Sequence, residues 1–239
     1  MRIVFHLSLC VVIASLSPVS ADEPAPGQQV SQEFSANDAG EKLGYLLYLP
    51  RDYQSSGKFP LLLFLHGSGE RGNDLALVKK HGPPKLIGAG KDFPMIVVSP
   101  QCPTGQGWNP NVLLALLDNL ETRFSIDPQR IHVTGLSMGG SGTWRLIAAA
   151  PDRFASAIPI CGHGDPWMVD AASRLPVWVV VGDLDRVAPN ALGMVDSLRA
   201  RGADVKWTLM PETGHDSWTA TYSNPAVYDW ILSQRNTSR

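Results

Sequence analysis

The ten residues Ile131-His132-Val133-Thr134-Gly135-Leu136-Ser137-Met138-Gly139-Gly140 constrain this chain more than any other stretch. A β-branched, apolar run leads into Gly-x-Ser-x-Gly, and small residues follow. The pattern predicts a strand, a tight turn that exposes a serine, and a helix that starts close against the strand. Glycine belongs on either side of the serine because a Cβ there would hold helix and strand apart. Met138 then opens the helix, where its N–H has no partner within the helix and can face an oxyanion. A plain glycine turn would carry the same fixed positions. The rest of the chain therefore has to supply a base, an acid and a second N–H donor.

Around this stretch, strands and helices alternate. Phe34 to Pro50 reads as a hairpin turning at Asn37-Asp38-Ala39-Gly40. Phe59 to Leu65 is a continuous apolar run, as expected of a strand covered on both faces. Met95 to Gln101, Ala155 to Ile160, Pro176 to Val181 and Val205 to Met210 read as further strands. Asn109-Pro110 supplies an N-cap and a first-turn proline for a helix to about Phe124, with Val112, Leu113, Leu116, Leu117 and Leu120 on one face. Further helices are expected from Ser141 to Ala150, from Ala191 to Ala200, and from Asn224-Pro225 through Leu232. Residues 73–92 read as a weak helix broken at His81-Gly82-Pro83-Pro84, and Asp127-Pro128 as the turn into the central strand. The alternation predicts an α/β fold, a mostly parallel sheet of about eight strands with helices on both faces and no separate lid domain.

The N-terminus has the pattern of a targeting segment. Met1-Arg2 is a short positive region, Ile3 to Leu16 is mostly apolar, and Val19-Ser20-Ala21 is a small-residue cleavage site. The expected organisation is a signal peptide over 1–21, a flexible leader over 22–32 and one catalytic domain over 33–239. A cleaved signal implies a secreted or periplasmic protein with no stable membrane association. A formal net charge of −2 gives no basic field for nucleic acid or an anionic membrane. Cys10 would leave with the signal. Cys102 and Cys161 would remain, an even pair that permits a disulfide in an oxidising compartment. Two separate buried thiols are the simpler alternative, since their strands need not be neighbours.

In such a sheet, functional residues collect past the C-terminal ends of strands. Ser137, Asp185 and His215 each fall there, in the order nucleophile, acid, base. A serine hydroxyl needs an imidazole to take its proton, and the imidazole needs a carboxylate to fix its tautomer. Asp183 is the rival acid. Asp185 is preferred because Asp-x-x-Ala-Pro continues outward into the turn that should meet the histidine loop. His163 also follows a strand but precedes the acid, so it reads as a pocket residue. His66, before Gly67-Ser68-Gly69-Glu70-Arg71-Gly72, reads as a structural histidine that stiffens a glycine-rich loop. No histidines sit at metal-binding spacing, so no metal is expected.

Leu65 to Gly72, Gly135 to Gly140, Gly182-Asp183-Leu184-Asp185 and Gly214-His215-Asp216-Ser217-Trp218 with Tyr222 to Pro225 together resemble the α/β-hydrolase superfamily. The chain is most similar to small secreted esterases of the dienelactone-hydrolase and phospholipase/carboxylesterase type, a group with feruloyl-esterase and polyhydroxybutyrate-depolymerase-like members. The resemblance implies Ser137 as nucleophile, Asp185 as acid, His215 as base, and the N–H groups of Ser68 and Met138 as the oxyanion hole. It also implies ester hydrolysis without a cofactor. A serine peptidase on the same residues and a non-catalytic binding protein are the rival functions. Trp108, Trp167 and Trp218 all fall in loops at the strand ends that carry Ser137, and are expected to wall a small open pocket with His163. Such a pocket would take short-chain or aromatic esters, on small molecules or carbohydrate.

Overall fold

The computed structural model describes residues 24–35 and 42–237. The expected signal peptide, Cys10 and the hairpin turn at residues 37–40 lie outside the described residues. β1 (Gln29–Ser35) and β2 (Lys42–Tyr48) pair antiparallel, as the hairpin reading requires. The expected leader over 22–32 is therefore corrected at its end. Gln29 to Gln32 are strand, because their amides pair with Tyr45 to Tyr48 of β2.

β3 (Phe59–Leu65) is buried from Pro60 onward and lies at the middle of the sheet. It is followed by a 3-10 turn at Ser68–Glu70, another at Leu77–Lys80, and α1 (Gly82–Gly88). The expected break at His81-Gly82-Pro83-Pro84 is instead the start of α1. Prolines are tolerated in a first turn, where an N–H would have no intrahelical acceptor. β4 (Ile96–Pro100) leads to α2 (Pro110–Arg123), whose cap is Asn109 Oδ1 accepting from Asn111 N at 3.0 Å. Leu113, Leu116, Leu117 and Leu120 are all buried, each worth about 2 kcal/mol of apolar burial. β5 (Ile126–Leu136) starts earlier than expected. Asp127-Pro128 is not a turn but part of this strand, beside a register shift between Phe59 and Leu61 of β3.

The second half continues with α3 (Met138–Ala149), β6 (Ser156–Ile160), α4 (Val169–Ala172), β7 (Val177–Gly182), α5 (Ala188–Ala200), β8 (Val205–Met210), α6 (Trp218–Ser223) and α7 (Pro225–Ser233). The eight strands run β1-β2-β4-β3-β5-β6-β7-β8. Pairing is antiparallel for β1–β2 and β2–β4 and parallel for the rest. Thr134 of β5 hydrogen-bonds the Tyr222 hydroxyl of α6, whereas its neighbour Gly135 abuts Gly139 of α3. Successive residues of a strand point to opposite faces, so the two helices cover opposite sides. Such double cover explains why β3, β6 and β7 are almost wholly apolar and buried. Among the described residues, no helix is long and apolar enough to cross a membrane.

Candidate active site

Ser137 sits between the end of β5 and the start of α3 with φ 53° and ψ −115°, a conformation that a side-chain-bearing residue seldom adopts. Its surroundings hold it there. Ser137 N donates to Ile160 O of β6 at 2.9 Å, and Ser137 O accepts from Ser141 N at 3.0 Å. A Cβ on Gly139 would lie 1.9 Å from Leu65 O, and one on Gly135 would lie 2.3 Å from Gly139 O. Both glycines of the motif are thus fixed by backbone contact between α3, β3 and β5.

The expected acid and base meet this serine. His215 Nε2 lies 2.8 Å from Ser137 Oγ, and His215 Nδ1 lies 2.7 Å from Asp185 Oδ2. The bonds fix the tautomer: Nδ1–H donates to the carboxylate, and Nε2 accepts from the hydroxyl. Asp185 is buried and its other oxygen, Oδ1, accepts from Val187 N at 3.1 Å. Asp183, the rival acid, instead accepts from Thr213 N at 3.0 Å through Oδ1 and so tethers the loop that carries His215.

The opposite lip is the glycine-rich loop after β3. His66 is fully buried; its Nδ1–H donates to Gly67 O at 2.6 Å and its Nε2 accepts from Cys102 N at 3.0 Å. Burial pushes the His66 imidazole down to about 4, so it is neutral, as a ring that donates on one side and accepts on the other must be. Gln101 Nε2 donates to Glu70 O and Asp74 O, both at 2.8 Å, and Arg71 Nε donates to Ser68 O at 3.0 Å. Ser68 and Met138 each open a helical turn, so the N–H of each lacks an acceptor within its own turn. The resulting cleft is lined by Gly67, Ser68, Gly69, Glu70, His81, Leu136, Ser137, His215 and Trp218 and has a volume of about 190 Å³.

Of the pocket residues expected from sequence, Trp218 lines the cleft, with its ring edge-on to His215 at 5.4 Å. The other three do not line it. Trp108 is buried behind the loop, where its Nε1 donates to His66 O at 3.1 Å and its ring fills the space beside Gly142. Trp167 lies in a 3-10 turn, Pro166–Met168, that turns Met168 inward and leaves the indole 67% exposed. His163 is exposed and faces Asp165 at 3.4 Å, while its backbone N–H donates to Ser141 Oγ. Cys102 and Cys161 are both free and buried; the permitted disulfide is not formed.

Two cleft residues escaped the sequence reading. Glu70 is buried and its Oε1 lies 3.8 Å from His81 Nε2; His81 Nδ1 accepts from Trp218 Nε1 at 3.3 Å. An acid inside a glycine-rich loop is the one signal for Glu70 that the sequence carries.

A serine–histidine–carboxylate chain at the C-terminal strand ends of this sheet defines an α/β-hydrolase fold. Residues 36–207 match the family described as Putative esterase, and the chain belongs to that esterase family. It is 28% identical over 178 residues to the poly(3-hydroxybutyrate) depolymerase of Ralstonia pickettii, covering 64% of this chain and 36% of that protein. Over 70 residues it is 41% identical to cutinase 2 of Thermobifida cellulosilytica, covering 28% of this chain and 25% of the cutinase. The chain thus spans well under half the length of these relatives. A thermostable esterase crystal structure superposes with a TM-score of 0.74 at 32% identity, covering 87% of this chain and 63% of that one. A ferulic acid esterase matches with a TM-score of 0.66 at 18% identity, covering 85% of this chain and 96% of that one, a likeness of fold.

Proposed function

We propose that this chain is a serine carboxylic ester hydrolase with Ser137 as nucleophile, His215 as general base and Asp185 as the acid that orients it. The observation that carries the reading is the unbroken pair of hydrogen bonds, 2.8 and 2.7 Å, from Ser137 through His215 to Asp185. His215 Nε2 takes the Ser137 proton as Oγ attacks the ester carbonyl. The N–H groups of Ser68 and Met138 receive the developing oxyanion, each worth roughly 3–4 kcal/mol of barrier. The imidazolium, steadied by Asp185, then protonates the leaving alcohol, and water repeats the sequence to release the acid. The loop's bonds to His66, Gln101 and Arg71 hold the Ser68 donor in place beforehand, so little reorganisation is needed.

The ester is a short-chain one. A cleft of about 190 Å³ suits a small acyl group. With Trp108 and Trp167 outside the cleft, the case for aromatic acids rests on Trp218 alone. The name of the poly(3-hydroxybutyrate) depolymerase relative fits a short hydroxyacyl ester as substrate. The catalytic domain begins at β1, its edge strand, and the targeting pattern of residues 1–21 directs the protein out of the cytoplasm. Ser137→Ala tests the core of the reading: hydrolysis of p-nitrophenyl acetate and butyrate should vanish while the circular dichroism spectrum is unchanged. A fluorophosphonate probe should label Ser137 alone. Labelling at another serine, or activity surviving the substitution, would overturn the assignment. Palmitoyl esters outperforming acetyl, butyryl and feruloyl esters in kcat/KM would overturn the acyl preference.

A further inference from the structure

Cys161 takes no part in the chemistry above, yet it lies against it. It follows β6, the strand between those that carry Ser137 and Asp185, and is held at φ 42° with its N–H donating to Val180 O at 2.8 Å. The Cys161 sulfur, a carboxylate oxygen of Asp185 and a ring nitrogen of His215 all lie within 4.8 Å of one another. The backbone of Ser137 and the side chain of Ser217 border the same sulfur. Ser217 Oγ is itself buried and has no hydrogen-bond partner of ordinary geometry.

We propose that Cys161, Asp185 and His215 form an inhibitory site for a thiophilic divalent cation, zinc above all. The donor set is one thiolate, one carboxylate and one imidazole, which suits zinc and excludes magnesium and calcium, whose ligands are oxygens. Tetrahedral zinc separates its ligand atoms by about 3.3–3.7 Å, from metal–ligand lengths of about 2.0–2.3 Å. The donors lie within 4.8 Å of one another, with His215 Nδ1 and Asp185 Oδ2 2.7 Å apart, so the His215 side chain, 48% exposed, has to shift slightly to take up that spacing. The fourth position is left to water from the cleft.

The coordination chemistry explains why binding would stop hydrolysis. Asp185 enters as a carboxylate and loses no proton. Cys161 gives up its thiol proton to solvent. The thiol is buried and binds zinc only as the thiolate, so its proton leaves when the cation binds. Zinc takes the lone pair of His215 Nδ1, so the imidazole proton moves from Nδ1 to Nε2. Nε2 then points an N–H at Ser137 Oγ and can no longer accept the serine proton. One proton leaves per zinc bound, and the base is locked in its inactive tautomer.

Binding does not depend on the esterase reading, whereas inhibition rests on it. Calorimetry on the purified full chain therefore comes first, with zinc chloride titrated in two buffers of different ionisation enthalpy. One zinc per chain with release of about one proton is expected from this ligand set. Cys161→Ala should weaken binding at least about tenfold, as should Cys161→Gly, which suits the positive φ if alanine is poorly tolerated. In the wild type, zinc should also block fluorophosphonate labelling of Ser137 and ester hydrolysis, EDTA should restore both, and magnesium should do neither. Zinc affinity unchanged in both Cys161 variants, or no stoichiometric binding to wild type, would overturn the site. Stoichiometric, Cys161-dependent binding without any ester hydrolysis would leave the site standing and sink the esterase reading instead.

Discussion

Two histidine–carboxylate pairs face one cleft, and they differ in what lies on the far side of the ring. In Asp185–His215 the pair is 2.7 Å apart and the free nitrogen meets Ser137 Oγ. In Glu70–His81 the gap is 3.8 Å and the other nitrogen accepts from the Trp218 indole. A carboxylate beside an imidazole is common; on the proposed reading, the serine hydroxyl on the opposite nitrogen is what makes the first pair a base. The second pair has no such group. It ties the loop of Ser68 to α6 and thereby fixes one wall of the cleft.

The comparison breaks most sharply under amide-for-acid substitution. Asp185→Asn should lower kcat about 10⁴-fold by presenting the wrong tautomer to Ser137, while Glu70→Gln should cost less than about tenfold. Steady-state rates on p-nitrophenyl butyrate decide it, and similar losses for both would abolish the distinction. Next in size is Gly139→Ala, which places a Cβ 1.9 Å from Leu65 O. Denaturant midpoints should show a loss of about 4 kcal/mol or more, since the main chain must shift to admit it. Wild-type stability in that variant would mean that the elbow is not held by backbone packing.

Two other histidines sharpen the contrast through pH. Burial pushes His66 down to about 4 and His132 down to about 3, from an ordinary value near 6.5. The unfolded chain binds protons at these rings below about pH 6.5 while the folded chain refuses them. Their contribution is complete above pH 6.5 and is lost as pH falls toward 4, by about 1.4 kcal/mol per unit for each ring. Urea midpoints between pH 7 and 4.5 should fall accordingly, and His132→Asn should flatten the slope by one ring's share. The smallest effect is expected from His81→Phe. It removes the acceptor of Trp218 Nε1, and kcat/KM should fall by no more than about tenfold, mostly through KM.

The first pair was legible in the sequence because each member sits just past an apolar strand, and a parallel sheet brings such ends together. Asp185 was separable from Asp183 by its outward turn, and Asp183 does tether Thr213 instead. The second pair was hidden. Its contacts join residue 81 to residue 218 and depend on how α1 packs against α6, which no local pattern encodes. Trp108 shows the opposite error. Its place after a strand end is legible, but its direction is not: the indole N–H turns inward to satisfy His66 O. Pro83 and Pro84 look like a break because prolines stop helices, yet in a first turn they start one.

The bend at Ser137 has a use outside catalysis. Its shape is set by Gly135, Gly139 and two main-chain hydrogen bonds, and the hydroxyl contributes nothing to it. On the proposed reading, a chain with alanine at that position would keep the same bend at the same backbone cost, with its cleft intact but inert. That variant would be a capture reagent. Immobilised, it would retain whole esters from a complex mixture and release them for mass spectrometry with the scissile bond uncut.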